Sequence, residues 1–226
     1  MTGALIARGR AADVFDDGPG RVRRRYRPGE GGDVAAEAAV MEHARSHGFP
    51  VPEVFDVSGR DLVMERVDGV TMLADLGRRP WRVWSHGALL ASLHVSLHTI
   101  PALDGLPCPL GRGASLVHLD LHPDNVMLTA RGPVVIDWSN ASRGEGADDV
   151  ASTWVIVATS VVDSRLLRWL AMPGRRELLR AFLSGVDADA ARARVPEVAA
   201  RRLEFDPHLR PAERAALAAL SSDAGR

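Results

Sequence analysis

In the segment RVRRRY (residues 21–26), apolar or aromatic side chains alternate with arginines. A strand there would put Val22, Arg24 and Tyr26 on one face and Arg23 and Arg25 on the other. ALIA (4–7) and ADVFDD (12–17) precede it, separated by turns containing Gly and Asp, so the three segments read as consecutive hairpin strands. DVAAEAAVMEHARSHG (33–48) then changes period. Strong helix formers follow Asp33, a good N-cap, and Gly48 supplies the stop before FPVP, which predicts one helix. EVFDVSG (53–59) and RDLVMERV (60–67) read as two further strands, the second ending at Asp68-Gly69. The first stretch is therefore three strands, a helix and two strands.

Beyond it the texture changes. PWRVWSHGALLASLHVSLHTIP (80–101) begins and ends with proline and repeats Leu89, Leu90, Leu93, Leu97 and Ile100 at helical spacing, which predicts a long buried helix. VML (126–128) and VVIDW (134–138) are short apolar strands joined by the turn TARGP. From Asp148 the periodicity predicts several helices with breaks at Pro173, Asp187, Pro196 and Pro207, and Trp81, Trp84, Trp154 and Trp169 are expected to pack helices together. The pattern predicts an α+β protein of two lobes: an antiparallel-sheet lobe over residues 1–69 and a larger, mainly helical lobe over 70–226.

Composition narrows the class. A chain of 226 residues with 46% hydrophobic content can bury a real core, and a formal charge of −1 argues against nucleic acid as a partner. All 28 basic residues are arginine, so any work usually given to lysine falls to arginine here. The single Cys108 cannot pair internally. No leader-like or membrane-length apolar run is visible, so a soluble cytoplasmic protein with no membrane partner is expected. Oligomeric state has no signature in the sequence.

The chemistry concentrates in HLDLHPDNVML (118–128). His118, Asp120 and His122 alternate and would suit a metal-dependent hydrolase if the segment were extended, but Pro123-Asp124 forces a turn. Phosphoryl transfer needs a carboxylate to orient the attacking hydroxyl and two oxygen ligands for magnesium, and Asp120, Asn125 and Asp137 supply that set. His94 and His98 stand one helical turn apart without the glutamate of a zinc-protease signature, so packing or hydrogen bonding is expected of them. Asp148 and Asp149 read as caps of the following helix.

HLDLHPDNVML together with VVIDW resembles the catalytic loop and metal-binding strand of the aminoglycoside phosphotransferase and choline-kinase-like family, relatives of the protein kinases. The resemblance covers roughly residues 5 to 160 and implies a bilobal protein-kinase-like fold using ATP and Mg2+. It implies Asp120 as catalytic base, His118 as a loop-shaping residue, and Asn125 and Asp137 as magnesium ligands. It puts Arg24 at the phosphate-holding lysine position, Glu37 as its ion-pair partner, and Gly9 in the phosphate-covering turn, which lacks a G-x-G-x-x-G pattern. The hinge would hold adenine through the Glu65 carbonyl and the Val67 amide beneath Met64. Leu119 occupies a position where the family commonly has glycine. The implied activity is transfer of the γ-phosphoryl group to a hydroxyl of a small molecule. A nucleotide-binding pseudokinase acting as a binding module is the alternative that Arg24 opens. Protein phosphorylation is disfavoured, because no A-P-E segment follows IDW. The C-terminal region carries scattered rather than clustered carboxylates, Glu177, Glu204 and Asp206 among them.

Overall fold

A computed structural model describes residues 3–9, 11–30, 32–160 and 172–222. Strands β1 (Leu5–Arg8), β2 (Ala12–Asp16) and β3 (Arg21–Tyr26) form the expected hairpins, followed by helix α1 (Val34–Ser46) and strands β4 (Val54–Ser58) and β5 (Asp61–Glu65). They make one antiparallel sheet in the order β1-β2-β3-β5-β4. The alternation in β3 is realised: Val22 and Tyr26 are buried, and Arg24 lies between them on the same face. Arg23 and Arg25 face the other way, where both reach Asp61, at 3.1 and 2.6 Å. Asp33 caps α1, accepting from the amides of Ala35 and Ala36, and Gly48 (φ 79°) ends it.

The chain leaves this sheet after Glu65. Strand β6 (Val70–Thr71) pairs instead with β8 (Val126–Thr129), which pairs with β9 (Gly132–Val135), the strand pair expected from VML and VVIDW. Gly69 permits the crossing, since a Cβ there would meet the Leu128 carbonyl oxygen at 2.4 Å. Helix α2 (Met72–Arg78), capped by the Thr71 hydroxyl, has no counterpart in the sequence reading. A 3₁₀ turn at Pro80–Arg82 leads into α3 (Val83–Leu97), whose Leu90, Leu93 and Leu97 are buried. Two tryptophans depart from expectation: Trp81 and Trp84 are 75% and 54% exposed, because the 3₁₀ turn and the first turn of α3 present them outward. Trp154 packs against a core cluster as expected, and Trp169 lies outside the described residues.

Short strands β7 (Ser115–Val117) and β10 (Ser142–Gly144) pair on either side of the loop that starts at His118. Helices α4 (Gly146–Thr159), α5 (Met172–Leu183), α6 (Ala188–Phe205) and α7 (Pro211–Ser222) complete the chain. Asp187 caps α6 and Pro207 lies beyond its end, as expected, and Pro173 falls at the start of α5. Pro196 does not break α6; the helix runs through it, with Val195, Val198 and Ala199 buried in the cluster shared with α4 and α7. Packing there outweighs the lost backbone hydrogen bond. A larger core runs continuously from Tyr26 and Met41 in the first lobe to Leu121 and Trp138 in the second, with Phe49 edge-on to Trp138.

Candidate active site

The loop after β7 is held from outside by α4. Asp149 is fully buried and accepts from the amides of His118 (3.2 Å) and Leu119 (2.7 Å), while His98 meets its Oδ2 at 3.0 Å. Burial alone would raise this carboxyl's pKa, but the His98 hydrogen bond and the surrounding histidines hold it well below the usual range. Ser152 and Thr153, one turn on, donate to the carbonyls of Leu119 and Leu121, both at 2.6 Å. Four hydrogen bonds thus fix a segment in which Leu119 adopts φ 59°, a conformation that suits glycine better than leucine. Asp149 is therefore not the helix cap that its sequence context suggests. Glu145 holds the N-cap position, and Asp149 sits inside the first turns of α4.

His118 is fully buried against Trp138, with ring centroids 4.9 Å apart. Its Nε2 faces the Ile136 carbonyl at 3.2 Å and its Nδ1 the amide of Asp120 at 3.3 Å, contacts suited to a neutral ring. Burial lowers its pKa accordingly. The same burial takes His94 down to about 4, where it bridges the Leu90 carbonyl and Thr153. His94 and His98 are thus hydrogen-bonding residues of the scaffold.

Asp120 and Asn125 face one another. Asn125 Nδ2 lies 2.9 Å from the Asp120 carbonyl and 3.2 Å from its Oδ2, and a 3₁₀ turn at Pro123–Asn125 bends the loop to bring them together. Burial works against the Asp120 charge, but the proximity of His122 and the charge of Arg202 lower its pKa below the ordinary carboxylate value. His122 Nε2 and Arg202 Nη1 each stand 3.7 Å from this carboxylate. The Ile136 amide donates to the Asn125 carbonyl at 3.0 Å, which brings Asp137 alongside. Asp137 has φ 65°, so the chain turns sharply where its carboxylate is presented. No cluster of three or more His, Cys, Asp or Glu side chains placed to hold a metal occurs among the described residues, so the hydrolase-type cluster of His118, Asp120 and His122 is not formed.

Arg24 reaches this place from β3. It donates to Glu37 Oε1 at 3.0 Å and to Asp137 Oδ1 at 2.6 Å, and its guanidinium stacks 4.8 Å from the Tyr26 ring. Burial disfavours the charge, yet Asp137 and Glu37 more than offset it and raise the pKa above the ordinary arginine value. Glu37, buried in α1, also accepts from the Tyr26 hydroxyl. The Arg24–Glu37 pair is the one that the family resemblance implies; the second partner, Asp137, is not. Gly9 sits in the exposed β1–β2 turn, its amide donating to Ala12 at 2.8 Å, and a Cβ there would meet the Ala12 carbonyl oxygen at 2.9 Å. At the far edge, Met64 and Glu65 end β5, the Glu65 side chain pairs with Arg131, and the Val67 amide donates to no acceptor among the described residues.

Three comparisons bear on this arrangement. A profile described as "Phosphotransferase enzyme family" matches residues 4–112 and 102–195. A thiamine kinase of Salmonella heidelberg (strain SL476) is 39% identical over 92 residues, 41% of this chain. That alignment spans a quarter (25%) of the relative's own length. Among solved structures, the aminoglycoside phosphotransferase APH(4)-Ia in ternary complex with AMP-PNP and hygromycin B aligns with a TM-score of 0.67 at 18% identity, over 98% of this chain and 93% of that one. A choline/ethanolamine kinase family protein from Mesorhizobium loti aligns with a TM-score of 0.58 at 17% identity, over 98% and 87%. The α+β, two-lobed fold read from the sequence is shared with these kinase-like chains.

Proposed function

Because the chain belongs to the phosphotransferase enzyme family, we propose that it transfers the γ-phosphoryl group of ATP to a hydroxyl of a small molecule. The observation that carries this reading is the convergence of Asp120, Asn125 and Asp137, from a loop and a strand end, with the buried Arg24–Glu37 pair. Asp120 acts as the base: it orients the acceptor hydroxyl and takes its proton as the oxygen attacks the γ-phosphorus. The bond from that phosphorus to the β,γ-bridging oxygen breaks, and ADP leaves. Its depressed pKa keeps Asp120 ionised and ready to accept.

Arg24 directs its charge at the nucleotide phosphates, with Glu37 and Tyr26 holding it in place. Residues 1–69 supply these nucleotide contacts, with adenine held at Met64, Glu65 and Val67 and the phosphates covered by the Gly9 turn. Residues 70–226 supply the loop and the acceptor side. His118 shapes the loop through its two backbone contacts.

The donor set fits magnesium. Asn125 Oδ1 and Asp137 Oδ2 accept no hydrogen bond among the described residues, and both are the oxygen ligands that a hard cation prefers. When bound, magnesium would neutralise charge developing on the phosphates. A second reading, nucleotide binding without turnover, is favoured by one contact: Arg24 already occupies Asp137 Oδ1 at 2.6 Å. A screen of hydroxylated compounds, thiamine included, for stimulated ADP release separates the two. Acceptor-dependent release supports transfer, and ATP binding with no release by any acceptor supports the second reading.

A further inference from the structure

Arg202, near the end of α6, is the cation that approaches Asp120 from the helical side. Its Nη1 lies 3.7 Å from Asp120 Oδ1 and its Nη2 3.4 Å from Asp206 Oδ2. Neither contact is a hydrogen bond, and the guanidinium, 21% exposed, donates none among the described residues. An arginine carries five N–H donors, and this one is ion-paired with two carboxylates without a hydrogen bond to either, so its donors can turn to an anionic group that reaches the same place. Its neighbour Arg201 differs: it is spent on the Pro109 carbonyl at 3.4 Å and on the Phe205 ring. Arg202 also lies beyond residue 195, where the family match ends.

We infer that Arg202 docks an anionic group, carboxylate or phosphate, carried by the acceptor molecule. The inference rests on the phosphotransferase reading of Asp120. The acceptor's anion replaces Asp120 as the partner of Arg202, freeing that carboxylate for the hydroxyl. The anion itself does not react, and the bonds made and broken are those of γ-phosphoryl transfer. A cationic acceptor would have to approach against the charge of Arg202. Asp206 already faces Arg202 and accepts the His208 amide at 2.9 Å, and Arg202 repels a second positive charge.

The test is calorimetry with AMP-PNP and magnesium filling the nucleotide site, using glycerol, glycerate, glycerol 3-phosphate and serinol, which differ mainly in charge. At least one anion is expected to bind roughly tenfold or more tighter than glycerol, as one charge-assisted contact supplies, and serinol no tighter than glycerol. Whether glycerate or glycerol 3-phosphate gains more distinguishes carboxylate from phosphate. Arg202→Ala should erase the gain, Arg202→Lys should keep part of it, and Arg201→Ala should keep it all. Equal binding of all four compounds, no binding of any, or a gain that survives Arg202→Ala would overturn the inference. Selective anion binding without phosphoryl transfer to any acceptor would overturn the transferase reading and leave the anion site standing. Turnover of thiamine, a fixed cation, with anionic acceptors inert, would do the reverse.

Discussion

Arg24 is where a change of residue type tests the chemistry most sharply, because it spans two carboxylates that a lysine ammonium would meet as a point charge. Removing it with Arg24→Ala should cost roughly 2 to 4 kcal/mol of transition-state stabilisation, the scale of losing one preorganised donor at a site of developing charge. Arg24→Lys should recover part of this, since the charge returns without the fork. Single-turnover ATP consumption reads both, with Arg23→Ala, on the opposite strand face, expected to change little. Asp149 makes a different prediction. Fully buried behind the loop, it holds the backbone on which Asp120 sits. Asp149→Asn places an amide group where two backbone N–H groups need acceptors, so kcat should fall roughly tenfold or more while ATP affinity stays near wild type. A loss confined to ATP affinity would show that α4 does not position the loop. The alternation in RVRRRY makes Arg24 legible from sequence alone, whereas Asp149 is not: an Asp-Asp pair ahead of an apolar run looks like a cap, and its real partners lie about 30 residues upstream.

At the scale of elements, one close approach and one backbone conformation make testable demands. Helices α3 and α5 cross at Gly87, where an added Cβ would stand 2.4 Å from the Ala181 Cβ. Gly87→Ala should therefore destabilise by about 1 to 3 kcal/mol through overpacking, while Ser92→Ala on the exposed face of α3 stays within about 0.5 kcal/mol. Urea denaturation midpoints check both. The loop after β7 makes the opposite demand at Leu119. With φ 59°, Leu119→Val should cost about 1 to 2 kcal/mol more than Leu119→Gly, since a β-branched residue tolerates that region least. The elements that the sequence reveals are those with sustained periodicity or clear caps, such as β3, α1 and α3. Helix α2 and strands β7 and β10 escape it because they span two turns or three residues and are fixed by contacts remote in the chain. Pro196 misleads for the same reason: a local breaker is overruled by burial of Val195, Val198 and Ala199.

Across the whole molecule, the scaffold behind the loop depends on neutral histidines. His94 titrates near 4 in the fold against an ordinary 6.5, and His118 is lowered too, both by burial. A depressed histidine pKa means that the unfolded chain binds more protons, so stability is fully present above about pH 6.5 and is lost as pH falls toward about pH 4. Denaturation midpoints should decline over that window. A flat profile would show that these rings are not held neutral. Family and fold were readable from the motifs and the periodicity, and the short spacing of Asp120 and Asn125 anticipated their contact. Arg202 was not readable, since only tertiary packing brings α6 to within 3.7 Å of Asp120. The central claim, that Asp120 activates an acceptor for phosphoryl transfer, meets its most direct test in one comparison. ATP labelled on its γ-phosphoryl group is followed in a single turnover with wild type and Asp120→Asn, and nucleotide affinity is measured for each by calorimetry. Loss of label transfer by Asp120→Asn with ATP affinity nearly unchanged is the result predicted. Transfer by Asp120→Asn at the wild-type rate would contradict it.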